Sequence, residues 1–558
     1  MKIFRALKTL TSAAAVAAAV SGAAWAVASL DAPNTGGELV MRRLTPDQYR
    51  QSIADIFGRT ITLGGRFEPD VRYNGLLALG TGVASATPSA IEQYEAMARV
   101  VANQVVSEQR RETLIPCKPA SLKAADEVCA SKFLTRAGRL LYRRPLTVEE
   151  IRTWAGIAGE SATKLNDFYA GLSTSLSTMM VSIPFLFRQE IAVPDPAKPG
   201  FYRMTSYSKA SRLSFFLWNT TPDEELLGAA EKGELNSKNG LTKQVERMMK
   251  SHRVDGGVRA FFADFLGFDR FENLEKDTVI YPAYSVNVAL DAREQLLRTI
   301  TDTLLVQNAD YRDIFTTRKT FLTSTLGRIY QVAIDRPDGG WMRYEFPQGD
   351  QHVGIVTQIG FVALASHPGR SSPTIRGKAI RELLLCQHVP DPPGDVDFSL
   401  FNDLNSPNKT ARQRLSAHAT TPTCAGCHKV TDPIGLGLEH FDGIGQMRDS
   451  ENGELISTAG DLDGIAYKDA AGLAQAIHDN PSATTCVVNR LAAYALGRSL
   501  GNGDKELVNY LSESFSRDGF KFSKLMETIA LGDALYTIKP PAGATAANAE
   551  TSNKEPHS

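Results

Sequence analysis

Three times along this chain a threonine stands three residues ahead of a glutamate or glutamine at the head of an apolar run. The three are Thr45-Pro46-Asp47-Gln48, Thr147-Val148-Glu149-Glu150 and Thr221-Pro222-Asp223-Glu224. In such a box the hydroxyl accepts a backbone N–H of the first turn and the acidic or amide side chain reaches back to the cap, so two orphan donors are satisfied together. Proline at the first helical position has its φ already set and no N–H to leave unpaired. A chain that marks helix starts this often folds into many short, well-capped helices. After Thr45, the residues Tyr49, Ile53, Ile56 and Phe57 make an apolar stripe at helical spacing, and Gly58 stops it. The same periodicity predicts helices over 89–112, 129–142, 168–190, 241–250, 256–266, 288–307, 469–479, 487–500, 505–517 and 521–536. Between 320 and 362 the texture turns to glycine, proline and aromatic residues, a loop or short hairpin region and a candidate ligand-facing loop. The fold class is mainly α, a multi-helical assembly of several small helical domains.

At 558 residues the chain exceeds what one core holds, since single cores stop growing near roughly 250–300 residues. Expected boundaries are 1–28 for a signal peptide, 38–115 and 117–190 for two helical domains, and 200–330 for a central helical domain. After these come 350–450 for a module bearing the Cys-x-x-Cys-His described below, 465–538 for a C-terminal helical domain, and 539–558 for a disordered tail. The leader reads as secretory: Lys2, Arg5 and Lys8 precede an Ala/Val-rich run from Ala13 to Ala28 with Ala-x-Ala cleavage sites, so a periplasmic or secreted location is expected. No other uninterrupted apolar run approaches the roughly 20 residues needed to span a bilayer. The net charge of -1 supplies no basic stripe for phosphates, which argues against nucleic acid as a partner. Arg136, Arg139, Arg143 and Arg144 cluster near a helix C-terminus, where cations already complement the dipole, and Met179 and Met180 read as core filling.

Cys424-Ala425-Gly426-Cys427-His428 is the pattern of c-type haem attachment, in which each thiol adds to a haem vinyl group and the histidine ligates iron. Cys-x-x-Cys on one helical turn puts both sulfurs on one face, with His428 projecting toward the iron between them. Pro433, five residues on, leaves a carbonyl able to accept from His428 Nδ1 and fix its tautomer. A thioredoxin-like pair would want a preceding strand, and a zinc site would want a second ligand pair, which the sequence lacks. Four of the six cysteines remain, and in an oxidising compartment Cys117–Cys129 and Cys386–Cys486 is the simplest pairing. The acidic residues Glu439, Asp442, Asp461 and Asp463 are covered by turn chemistry.

Several stretches together resemble an exported multi-domain family of unknown function, found in planctomycetes and proteobacteria, that ends in a cytochrome-c-like module. They are R-R-L-T-P-D-Q-Y from Arg42, Y-R-R-P-L-T from Tyr142, S-R-L-S-F-F-L-W from Ser211, S-P-T-I-R-G-K from Ser372, C-A-G-C-H-K-V-T-D-P-I-G-L-G-L-E-H-F-D-G-I-G from Cys424, and A-Y-A-L-G-R from Ala493. The resemblance spans nearly the whole chain and implies little chemistry. In the family pattern asparagine stands where this chain has His440, and an aromatic where it has Met447.

The sixth iron position decides between electron transfer and open-site chemistry. Distal candidates are His478, His418, Met447, His440 and Met526. The resulting expectation is an exported monohaem c-type protein that transfers electrons or serves as the redox subunit of a periplasmic oxidoreductase. Its partner would be a periplasmic redox protein, or a small-molecule or polymer substrate bound by the large helical scaffold. The alternative is a secreted binding or structural protein whose Cys-x-x-Cys-His is a zinc site or disulfide.

Overall fold

The computed structural model of the chain describes residues 36–38, 40–83, 86–196, 199–336, 338–391, 407–418 and 422–539. The expected leader at 1–28 and the tail beyond Lys539 lie outside them. The architecture is mainly α, and the first two caps form as the sequence predicts. Thr45 Oγ1 accepts Gln48 N at 3.2 Å while Gln48 Oε1 accepts Thr45 N at 3.3 Å, opening the helix Pro46–Phe57. Thr147 and Glu150 do the same for the helix Val148–Leu165. The third box resolves differently. Asp223 is the cap, its carboxylate accepting Leu226 N at 2.9 Å, and Thr221 turns away to donate to the Leu140 carbonyl at 2.8 Å.

The helix expected over 168–190 is broken. Phe168–Val181 ends at Ser182, whose backbone is extended, and a short turn, Ile183–Leu186, carries Pro184. The chain then becomes a strand, Phe187–Arg188, paired antiparallel with Arg42–Arg43. Ser182 and Pro184 explain the break, because proline removes a helical N–H and crowds the preceding turn. The other strands are short too, at two to four residues. Tyr202–Met204 pairs with Ala192–Pro194 and with Thr537–Ile538, and Lys319–Leu322 pairs with Met342–Glu345, the hairpin anticipated within 320–362. Gly37 bridges to Ile538, with Lys539 N donating to the Gly37 carbonyl at 2.8 Å.

Two large cores hold these elements. One draws Tyr49, Ile53, Tyr94, Phe133, Leu172, Met179 and Met180 together with Phe215 from the next segment, so the methionine pair fills core as expected. The other runs from Leu76 to Ile538 and includes Phe261, Tyr311, Ile359, Ile380, Phe441, Leu491 and Phe522. Most of the buried apolar residues described from Met204 onward therefore share one interior, with Phe215 in the first core and Ala411, Leu415 and Leu436 in a small third cluster. Both expected disulfides are present, Cys117–Cys129 closing 12 residues and Cys386–Cys486 closing 100. The arginines near Tyr142 are structural. Arg139 pairs with Glu224 and Glu231, Arg144 forks onto Glu150, and Arg143 donates to the carbonyls of Phe185 and Phe187 at 3.3 and 2.8 Å. Among the described residues no helix is long and apolar enough to cross a membrane.

Candidate functional site

The Cys-x-x-Cys-His motif lies on the helix Pro422–Leu436, which packs against the short helix Pro373–Ala379 opened by Ser372 and Pro373. Glycine on each partner lets the backbones touch. A Cβ on Gly377 would lie 1.9 Å from the Thr431 carbonyl oxygen, and one on Gly435 would lie 1.7 Å from that of Pro373. The two stretches S-P-T-I-R-G-K and V-T-D-P-I-G are thus the two sides of one seam. Arg376, fully buried beneath it, donates to the carbonyls of Leu438, Phe441 and Asp442 at 2.8, 2.7 and 2.6 Å and to Glu439 Oε1 at 3.1 Å. Glu439 in turn holds Arg448 and Ser371, so the turn following the motif is fixed from several sides.

Across the seam Thr374 Oγ1 donates to Asp432 Oδ1 at 2.8 Å, and Thr431 Oγ1 donates to the same oxygen at 3.2 Å. The other oxygen, Asp432 Oδ2, sits 2.7 Å from His428 Nδ1. Asp432 is four residues after His428 on the same helical face, which is why it reaches the ring. A carboxylate at Nδ1 makes that nitrogen the N–H and leaves Nε2 with the lone pair, the form that ligates a metal. This corrects the sequence expectation for Pro433. The helix continues through Pro433 to Leu436, and the Pro433 carbonyl accepts the Tyr467 hydroxyl instead of His428. Cys427 is a free thiol, partly exposed, its sulfur 3.5 Å from the Pro390 carbonyl. Pro390 belongs to a strap that leaves the Cys386–Cys486 disulfide. The strap is pinned by Gln387 N on the Arg381 carbonyl at 2.8 Å and by Lys378 on Asp391 at 2.7 Å. The side chain of Cys424 lies outside what the structure describes.

The donor set fits a covalently attached haem on its chemistry: a free, reachable thiol beside a histidine whose second nitrogen is held by a buried, fully engaged carboxylate. The distal candidates are scattered. His478 has Nδ1 2.6 Å from Asp479 and Nε2 3.7 Å from Asp313, so its ring faces two carboxylates. Met526 is buried in the second core. His440 lies in the turn held by Arg376, its Nδ1 sealed from solvent without a partner, and Met447 is an exposed residue whose backbone bridges to Phe441. His418 closes the helix Ala411–His418 and its side chain is not described. Of the four acidic residues expected to follow turn chemistry, Asp442 does, accepting Ile444 N and Gln446 N, and Asp461 does, accepting Gly464 N, whereas Glu439 pairs with Arg376 and Arg448, and Asp463 pairs with Arg381. Among the described residues no group of three or more His, Cys, Asp or Glu side chains is gathered for a metal ion. The residues that sequence reading missed are Asp432 and Thr374. The i,i+4 spacing from His428 was the signal for the first, whereas nothing local announces the second.

Five family models match the chain, each described as a protein of unknown function. They are DUF1587 over 42–107, DUF1595 over 129–190, DUF1592 over 204–332, DUF1588 over 352–451 and DUF1585 over 463–535. The Cys-x-x-Cys-His motif and both sides of its seam fall within the fourth. No curated protein matches the chain, and no solved structure does.

Proposed function

We propose that this chain, a member of a multi-domain family of unknown function, is an exported c-type haem protein that carries electrons or supplies the redox subunit of a periplasmic oxidoreductase. Cys424 and Cys427 would hold the haem by thioether bonds, and His428 would bind its iron. When bound, the group supplies a one-electron couple whose potential is set by the axial ligands and their hydrogen bonds. The chain's own part is to present Nε2. Asp432 holds the imidazole at Nδ1, and Thr374 and Thr431 hold Asp432, so the ring cannot rotate without breaking a buried network. The 2.7 Å contact between His428 Nδ1 and Asp432 carries this reading, because Asp432, unlike the exposed Asp479 beside His478, is buried and held by Thr374 and Thr431. The scaffold ahead of the motif is larger than an electron carrier needs and favours a bound partner or substrate. A haem-stained denaturing gel and a pyridine haemochrome spectrum test the proposal, on protein made in a host with haem-maturation machinery. One covalent haem per chain, lost in Cys424→Ala/Cys427→Ala, is the expected result. A correctly exported, folded protein without haem would overturn it.

A further inference from the structure

Where the first core meets the second, one carboxylate is shared by too many cations. Glu190 accepts Arg42 Nη2 at 2.5 Å and Arg212 Nε at 2.9 Å, and a second Arg212 nitrogen binds its other oxygen. Arg212 also donates to the Leu535 carbonyl at 2.7 Å. A third guanidinium lies beside them. Arg188 pairs with Arg42 across the strands Arg42–Arg43 and Phe187–Arg188, is 6 % exposed, and its side chain makes no hydrogen bond or ion pair with any described residue. Its Nε is sealed from solvent without a partner, as is that of Arg42. What it does touch is the face of Phe215, 5.0 Å from the ring centroid. The groups within electrostatic reach are Arg42, Glu190, Tyr494 and Arg212, so burial and then Arg42 push its proton affinity well below the ordinary arginine value. Arg143, whose guanidinium approaches the same phenyl ring at 5.8 Å, is satisfied by backbone carbonyls and offers no counter-charge.

Buried charges are paired, because an uncompensated cation in a low-dielectric interior forfeits its hydration and receives nothing back. We propose that a small inorganic monoanion, chloride in the first instance, binds against the Arg188 guanidinium and completes the charge balance of this junction. The surroundings favour a small ion over a larger acid. Arg188 is only 6 % exposed and packs on Phe215, while Arg42 beside it lies against the Gly497 turn, so a larger organic acid would have to displace packed side chains to reach it. Tyr494, buried and near both Arg188 and Arg42, supplies a phenol as a further donor. Arg42, Arg212 with Phe215, and Tyr494 with Gly497 come from three separate stretches on which the family resemblance rests.

The experiment is a bromide soak of crystals of the full mature chain, paired with thermal unfolding in chloride, bromide and gluconate at one ionic strength. An anomalous bromide peak within hydrogen-bonding reach of Arg188 is expected. So is a saturable rise in Tm with the halides over gluconate, absent in Arg188→Leu. Bromide found on surface residues and not at Arg188 overturns the proposal. An Arg188→Leu variant that folds and keeps the halide-specific rise overturns it too, and if that variant does not fold the wild-type bromide map decides alone.

Discussion

Single residues at this junction carry a measurable pH signature. Burial alone would push the Glu190 carboxyl up, but Arg212 and Arg42 outweigh it and hold the group down at about 2, against an ordinary 4.5. A carboxylate depressed on folding contributes stability that is fully present above pH 4.5 and is lost as the pH falls through 2. Glu190→Gln is therefore expected to cost about 3–5 kcal/mol near neutrality, the usual penalty for stranding a buried charge. Urea unfolding at pH 7, 4 and 3 should show the wild type losing more than the variant on acidification, and parallel losses would refute the assignment. Asp432 is the corresponding residue at the candidate haem site. Its negative charge would make a haem-ligating His428 a stronger donor, and would thereby favour oxidised iron. Asp432→Asn is expected to raise the midpoint potential of the haem-loaded protein in a spectroelectrochemical titration, with Thr374→Val shifting it less and in the same direction. The candidacy of His428 is legible in the sequence, from the five letters of the motif. That of Asp432 is half legible, since helical spacing points to it while the adjacent Pro433 offers a competing acceptor that the fold gives to Tyr467.

At the scale of elements, the seam between Pro373–Ala379 and Pro422–Leu436 depends on two missing side chains. Gly435→Ala would set a methyl 1.7 Å from the Pro373 carbonyl oxygen, against backbone that cannot fold out of the way. The two helices would have to part, at a cost of about 1–3 kcal/mol typical of overpacking, and Thr374 would lose its reach to Asp432. Chemical denaturation of Gly435→Ala beside Gly426→Ala separates the two effects. A Cβ on Gly426 meets nothing within 4 Å, so that control should stay within about 0.5 kcal/mol of wild type. Helix starts were legible because capping is local chemistry. Helix ends were less so: the run to Glu190 stops early because Ser182 and Pro184 favour extension, and the run to 307 finishes in the π-turn Asp302–Val306. Periodicity reports which face is apolar, and it passes over breaks at which the apolar face continues in another form. The pairing of the seam was illegible for a different reason. Thr374 and Asp432 are 58 residues apart, and only the packed helices make them neighbours.

For the whole molecule, the long cross-link matters most. Cys386–Cys486 ties the strap beside Cys427 to the helix Pro481–Leu496 across 100 residues, and a loop of that size restricts the unfolded chain strongly. Cys386→Ser/Cys486→Ser is expected to lose about 2–5 kcal/mol and to release the strap, whereas removing Cys117–Cys129, which closes 12 residues, should cost less. Differential scanning calorimetry of the two double variants ranks them, and the reverse order would refute the loop argument. How two cores come to serve five family segments was not legible in the sequence, since a core is a set of contacts between distant elements and each segment reads as ordinary amphipathic helix on its own.

The bridge between Gly37 and Ile538 closes the chain into something close to a ring. A ribosome delivers these two residues at opposite ends of a long interval, so the last hydrogen bonds of the fold wait for the final strand. Until it arrives, Tyr202–Met204 keeps an unpaired edge and Arg212 lacks the Leu535 carbonyl. A short linker joining 37 to 538, with new termini opened in a surface loop, would remove that wait, and a permuted chain should therefore mature sooner and spend less time exposed to proteases.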